Sequence, residues 1–127
     1  MNPIQFPAGD DAPRSSLPFS PATQYGDLIF VSGQASVSMT GDILSGSFDE
    51  ECRRSFENLK AVLESSGSSL AHVLRTTNYV RDPKNIARFN EIYKEFFNPP
   101  YPARTTIVHC LGKRLKFEVD CIAVPEQ

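Results

Sequence analysis

Residues 47–67, SFDEECRRSFENLKAVLESSG, carry every mark of one amphipathic helix. Ser47 and Glu50 stand at the S-x-x-E spacing of a capping box, in which each side chain takes the other's amide. Asp49, Glu50 and Glu51 favour the positive end of the helix dipole. Cys52, Phe56, Leu59 and Leu63 recur at helical spacing and form one apolar stripe. Gly67 is the stop. A helix with a single apolar stripe has to bury it against another layer.

Strands elsewhere in the chain supply that layer. DLIFVSG (Asp27–Gly33) is a β-rich run behind a turn signal, Tyr25-Gly26-Asp27. MTGDI (Met39–Ile43) reads as a hairpin-type loop around Gly41. HVLRTTNYVRD (His72–Asp82) is a β-branched strand. Asp82 then caps a second helix with Pro83 at its first position. Ile86, Phe89, Tyr93 and Phe96 repeat at helical spacing, and the helix ends before Pro99 and Pro100. ARTTIVHC and LKFEVDCIAV are two further strands joined by LGKR. Residues 1–21 hold five of the ten prolines, and residues 1–17 read as an irregular or edge segment of a single domain spanning 1–127.

Two amphipathic helices cover only one face of such a sheet. In the last strand Leu115, Phe117, Val119, Cys121 and Ala123 alternate onto the helix-packed face. Lys116, Glu118, Asp120, Ile122 and Val124 fall on the other. That second face is mixed, as suits a subunit interface holding a wet pocket.

Composition narrows the function. With 127 residues the chain suits one domain and can bury about 65–70% of its unfolded surface, so disulfides and metals are not needed for a core. The net charge of −2 lacks the footprint expected of a nucleic-acid binder. Lys113, Arg114 and Lys116 are the densest cationic stretch and read as a turn and a solvated strand end. The three cysteines, Cys52, Cys110 and Cys121, form no close pair. They are expected to be buried, reduced thiols of a cytoplasmic protein. The N-terminal stretch has no basic region followed by an apolar core, and no run reaches the length of a membrane span. His72 and His109 belong to no metal motif, and no nucleophile elbow, Walker A or G-x-G-x-x-G occurs. PPYP reads as a helix-stopping loop.

From Pro18 to Val124 the chain resembles the RidA/YjgF/L-PSP-like family. The resemblance is carried by FVSGQ (Phe30–Gln34), ENLKAVLESSGSSL (Glu57–Leu70), RFNEIYKEFF (Arg88–Phe97), PARTTI (Pro102–Ile107) and FEVDCIAV (Phe117–Val124), in order and at consistent spacing. It implies an α+β, chorismate-mutase-like (bacillary) fold: a mixed sheet with two helices on one face. It further implies a homotrimer with clefts between subunits. The implied activity is hydrolysis of enamine and imine intermediates of the 2-aminoacrylate/2-iminopropanoate type to 2-keto acids and ammonia, without metal or organic cofactor.

Arg104 matches the family's carboxylate-binding arginine. A guanidinium fork pairs bidentately with a carboxylate and orients the carbon beside it. The structural alternative is an ion pair with an acidic residue across an interface. Glu118 matches the family's glutamate on the last strand, where a carboxylate can hold water and take its proton. The alternative is a surface glutamate or a partner of Lys116. Asp120 shares the strand face of Glu118 without being the matched position. Gly33 lets backbone approach a ligand, or marks an ordinary bend or bulge. Asn90 matches a cleft-lining position. Thr106 stands where many relatives have cysteine and offers no thiol. Phe19, in PFSPA, replaces a tyrosine of relatives, so its ring remains while the hydroxyl is gone. That departure leaves open a different enamine substrate, an aminoacrylate or aminomuconate of catabolic pathways. It also leaves open a non-catalytic trimer that binds or senses small carboxylates. A ribonuclease, the function in an older family label, is disfavoured by the acidic charge and the lack of a histidine pair.

Overall fold

The computed structural model describes residues 3–127. Six strands and two helices follow one another as β1 (Ile4–Gln5), β2 (Ala22–Tyr25), β3 (Leu28–Ala35), α1 (Phe48–Ser65), β4 (Val73–Val80), α2 (Ile86–Phe96), β5 (Ala103–Val108) and β6 (Phe117–Ala123). They form one mixed sheet in the order β1-β2-β3-β6-β4-β5. Only β4 and β5 pair in parallel. β3 and β4 both run antiparallel to β6, so they too point the same way. The connections β3-α1-β4 and β4-α2-β5 therefore both step in one direction across the sheet. Such crossovers are right-handed, which sends both helices to the same face. The opposite face is left bare.

The predicted helix α1 is present with its capping box intact. Ser47 Oγ accepts from the Glu50 amide at 3.1 Å, and Glu50 Oε1 accepts from the Ser47 amide at 2.8 Å. Gly67 follows the helix in the left-handed region, φ +81°. Ser47→Ala removes one half of this exchange and is expected to lower stability by about 1 kcal/mol in a urea titration, with the slope unchanged. Cys52, Phe56, Leu59 and Leu63 are all fully buried. Phe56 stands at the centre of the core, 5.2 Å from the Phe117 ring and 5.8 Å from Tyr93. Rings from α1, α2 and β6 thus meet in one aromatic cluster.

Several boundaries differ from the sequence reading. Tyr25-Gly26-Asp27 is the turn of a hairpin, because Ala22–Tyr25 is itself a strand paired with β3. The first segment, read as irregular or edge, does carry the edge strand β1. Asp82 caps a short 3-10 turn, Pro83–Asn85, and the α-helix begins only at Ile86. His72 lies in a 3-10 turn before β4. His109 leaves β5 with φ +58°, so Cys110 sits in a loop and is only half-buried. Leu115 and Lys116 precede β6. Leu115 lines a cavity and is not core. Lys116 leaves the outer face altogether: its Nζ reaches the fully buried Glu51 carboxylate at 3.2 Å. Glu51 also accepts from the Lys116 and Gly46 amides at 2.9 and 3.1 Å. A buried carboxylate needs such partners, and here they tie the start of β6 to the first turn of α1. No helix among the described residues is long and apolar enough to cross a membrane.

Candidate functional site

Register decides which of the candidate residues can meet. Phe117, Val119, Cys121 and Ala123 of β6 face the helices and are buried. Glu118, Asp120 and Ile122 therefore face the bare side. On β5, Arg104 is in register with the buried Thr76, which is itself opposite Cys121. Arg104 and Thr106 accordingly lie on the helix side. Within one chain, Arg104 and Glu118 are on opposite faces of the sheet. The predicted residues fall into two half-sites.

The first half-site surrounds Glu118. The β3–β6 ladder slips between Val31 and Gln34, so Ser32 and Gly33 sit in a bulge. Asn58 of α1 holds the chain beyond it, donating to the Ala35 and Val37 carbonyls at 2.9 and 3.0 Å. Ser32 ties the bulge to the segment before β2, with Oγ donating to the Ser20 carbonyl at 2.6 Å and the amide to Pro21 at 2.9 Å. Those bonds place Phe19 beside the bulge. Phe19, Gly33 and Glu118 line one cavity of about 540 Å³, with Gln34, Arg14 and Arg114 also in its wall.

The Glu118 carboxylate crosses directly over Gly33. A Cβ on Gly33 would stand 2.1 Å from Glu118 Oε2 and 2.9 Å from Cδ, so only glycine permits this approach. Glu118 has no hydrogen-bond partner among the described residues and is not the partner of Lys116. Burial, and next the charge of Asp120, hold its carboxyl above the ordinary range. Tyr79, opposite Glu118 on β4, gives its hydroxyl to Asp120 Oδ2 at 2.9 Å. Burial and that bond push the Tyr79 phenol up to about 12. Asp120 is thus occupied and Glu118 is left open. A half-buried, unpartnered carboxylate over bare backbone can hold a water and accept its proton.

The second half-site surrounds Arg104. Its Cζ stands 4.8 Å from the centroids of both the Phe89 and Tyr93 rings, and its Nη2 donates to Asn90 Oδ1. All three partners come from one face of α2. Tyr93 is locked from beneath by a 2.8 Å hydrogen bond to the buried Thr76. No carboxylate pairs with Arg104 among the described residues. The guanidinium is exposed and keeps most of its donor fork free. Rings and amide fix its direction, leaving it able to take an incoming carboxylate. Thr106 is half-buried on the same strand face, in register with Asn78.

Tyr79 escaped the sequence reading. Its pairing with Asp120, already placed on the strand face of Glu118, is revealed by cross-strand register. Arg114, read as part of a turn, also lines the Glu118 cavity. Among the described residues, no cluster of three or more His, Cys, Asp or Glu could hold a metal ion.

Comparison with known proteins agrees with this architecture. The family profile described as Endoribonuclease L-PSP matches residues 9–125. A RutC family protein of Pyrococcus abyssi is 39% identical over 119 residues, covering 92% of this chain and 94% of that protein. The 2-iminobutanoate/2-iminopropanoate deaminase of Dermatophagoides farinae is 33% identical over 128 residues, 99% of this chain and all of that one (100%). The crystal structure of E. coli TdcF with bound serine superposes with a TM-score of 0.84 at 31% identity, covering 96% of this chain and 99% of that chain. Fold, motif order and these full-length matches together make the chain a member of the RidA/YjgF/L-PSP family.

Proposed function

We propose that the protein hydrolyses reactive imines and enamines of the 2-aminoacrylate/2-iminopropanoate type, at sites assembled between copies of the chain. The observation that carries this reading is the Glu118 carboxylate, unpartnered and poised over Gly33. Arg104 supplies the anchor for the substrate carboxylate. The two lie on opposite sheet faces, so a site using both needs a second copy, and we take the assembly to be a homotrimer. The bare face supports association: Leu28, Phe30 and Ile107 stand exposed on it. The relative named as an imine deaminase matches along its whole length and supports the chemistry.

In this mechanism the enamine first takes a proton on carbon to become the imine. Arg104 holds the carboxylate so that the imine carbon faces the Glu118 water. The water oxygen bonds to that carbon as Glu118 removes its proton, and the C=N electron pair moves to nitrogen. Protonation of nitrogen and loss of the C–N bond release ammonia and leave the 2-keto acid. Phe19 walls the cavity without a hydroxyl, so proton delivery falls to Glu118 and water. No metal or cofactor enters these steps.

The test generates 2-aminoacrylate in situ from serine with a dehydratase and follows keto-acid release with and without the protein. The expected result is faster release that scales with protein concentration; release no faster than the spontaneous rate refutes the reading for this substrate. The missing Phe19 hydroxyl favours one second reading, a cleft that binds small carboxylates without turnover. Saturable keto-acid binding in the absence of acceleration would establish it.

The charges around Glu118 also set an expected pH response. Asp120 on the same strand, Tyr79 on β4 and Cys110 in the loop after β5 interact electrostatically with it, and Arg14, Asp42 and Arg114 line the same cavity. Glu118 works ionised, so the rate falls as pH drops through its raised pKa. Asp120→Asn removes a neighbouring negative charge and lowers that pKa. The acid limb of the pH–rate profile is therefore expected to move to lower pH in the variant.

A further inference from the structure

Arg104 is exposed, yet wholly buried polar groups lie behind it. Thr76 and Asn78 stand opposite Cys121 and Val119 on β6, so both face the helices, and neither is accessible to water. The other wholly buried polar side chains have evident structural duties. Glu51 clamps Lys116, Ser55 Oγ donates to the Glu51 carbonyl, and Ser36 Oγ donates to the Leu44 carbonyl. Asn78 is different. Its Nδ2 donates to Thr76 Oγ1 at 3.0 Å and to the Thr105 carbonyl at 3.4 Å, while its Oδ1 has no partner. Only an NH2 can approach that carbonyl, so the orientation of the amide is fixed. An unpaired buried acceptor is costly, and a valine at this strand position would avoid the cost.

The two bonds of this amide reach Arg104 by separate routes. One runs through Thr76, whose Oγ1 is 2.8 Å from the Tyr93 hydroxyl, and the Tyr93 ring centroid is 4.8 Å from Arg104 Cζ. The other ends on the carbonyl of Thr105, the residue after Arg104 on the edge strand β5. A single buried amide therefore holds both a ring against the guanidinium and the strand that carries it. The second ring, Phe89, is fixed by packing alone, 5.4 Å from Phe117.

We infer that Asn78 is a positioning residue for Arg104: through Thr76 and Tyr93, and through the Thr105 carbonyl, it holds the guanidinium in the direction in which its free donors meet a carboxylate. The carboxylate-binding role of Arg104 rests on the imine-hydrolase reading; the hold of Asn78 on Arg104 does not. A long side chain loses rotamer freedom when it takes a ligand. A guanidinium already fixed by rings and Asn90 is spared most of that loss, and a ring free to drift restores it. The orphan oxygen follows from placing one amide where its NH2 reaches both acceptors.

The test reads the guanidinium directly. In intact protein carrying isotope-labelled arginine, the Arg104 Nε–H resonance is identified by its absence from Arg104→Ala, and the currents of the two rings displace it in wild type. In Asn78→Val that displacement is expected to shrink. Affinity for pyruvate, measured by calorimetry on the same samples, is expected to fall about tenfold. Valine removes the orphan oxygen together with the amide, so the melting temperature is expected not to fall. Thr76→Val cuts the chain one bond further on and is expected to reproduce both changes; Thr76→Ser keeps the hydroxyl and is expected to recover most of them. Should Asn78→Val fail to fold, the Thr76 pair decides alone. An Arg104 resonance unmoved in both valine variants would overturn the inference. So would equal losses in Thr76→Val and Thr76→Ser, or pyruvate bound as tightly by Asn78→Val as by wild type. If the resonance moves while wild type neither binds pyruvate nor turns over imines, positioning stands and the hydrolase reading fails. If imines are turned over while the resonance stays in place, the reverse holds.

Discussion

Arg104→Ala is expected to lower kcat/KM for 2-aminoacrylate by about 10²–10³-fold while leaving the fold intact. The guanidinium is exposed and contributes little to the core, since Phe89 and Tyr93 beneath it remain packed on Phe56 and Phe117. What the substitution removes is the orientation of the reacting carbon, a contribution realised mainly in the transition state. Arg104→Lys is expected to recover only part of the loss. An ammonium supplies the charge but not the planar fork, and it makes a different contact with the two rings and Asn90. Steady-state kinetics with circular dichroism and a thermal melt on the same samples separate the catalytic effect from misfolding.

Gly33→Ala is expected to be nearly as damaging, about 10²-fold in kcat, for a purely steric reason. Gly33 does not occupy the left-handed region, so alanine meets no backbone penalty there. Its methyl group would stand 2.1 Å from Glu118 Oε2, the end of a flexible side chain. The carboxylate moves, and the fold survives. Thermal stability should therefore change little while activity collapses. In a Glu118→Gln background the same substitution should cost almost nothing more, because both changes disable one device. Two losses that multiply in the double variant would show that Gly33 acts through something other than Glu118.

The residues that were legible in the sequence are those whose role is local. The Ser47–Glu50 box, the Cys52–Leu63 stripe and the Gly67 stop need only neighbouring residues, and all three are present in the fold. The alternation of β6 was equally plain from Phe117 onward. The failures share a different cause. Ala22–Tyr25 is a four-residue strand whose only strong signal is its partner across the Gly26 turn. Lys116 obeys the alternation of its strand on paper, yet the buried Glu51, distant in sequence, pulls it to the other side. Cys110 was assigned to a strand that a left-handed His109 cuts short. For the site, the residue types were readable from motif positions, but their division between two faces was not. That division follows from strand order, because β6 inserts between β3 and β4 and thereby sets Glu118 opposite Ala35 and Tyr79, with its carboxylate over the bulged Gly33. Lys113 and Arg114 do lie in an exposed turn, as read; of that cationic stretch only Lys116 departs, drawn to Glu51.

The central claim is that Arg104 of one copy and Glu118 of another complete a single site, and subunit complementation tests it most directly. Arg104→Ala and Glu118→Gln chains are purified separately, each expected to be inactive, then unfolded together and refolded as a mixture. In a closed ring of copies, random mixing places an intact Arg104 against an intact Glu118 at roughly a quarter of the sites. The account predicts that about this fraction of wild-type activity returns in the mixture and in neither parent. A mixture as inactive as its parents, with mixed oligomers demonstrated by mass, would contradict it.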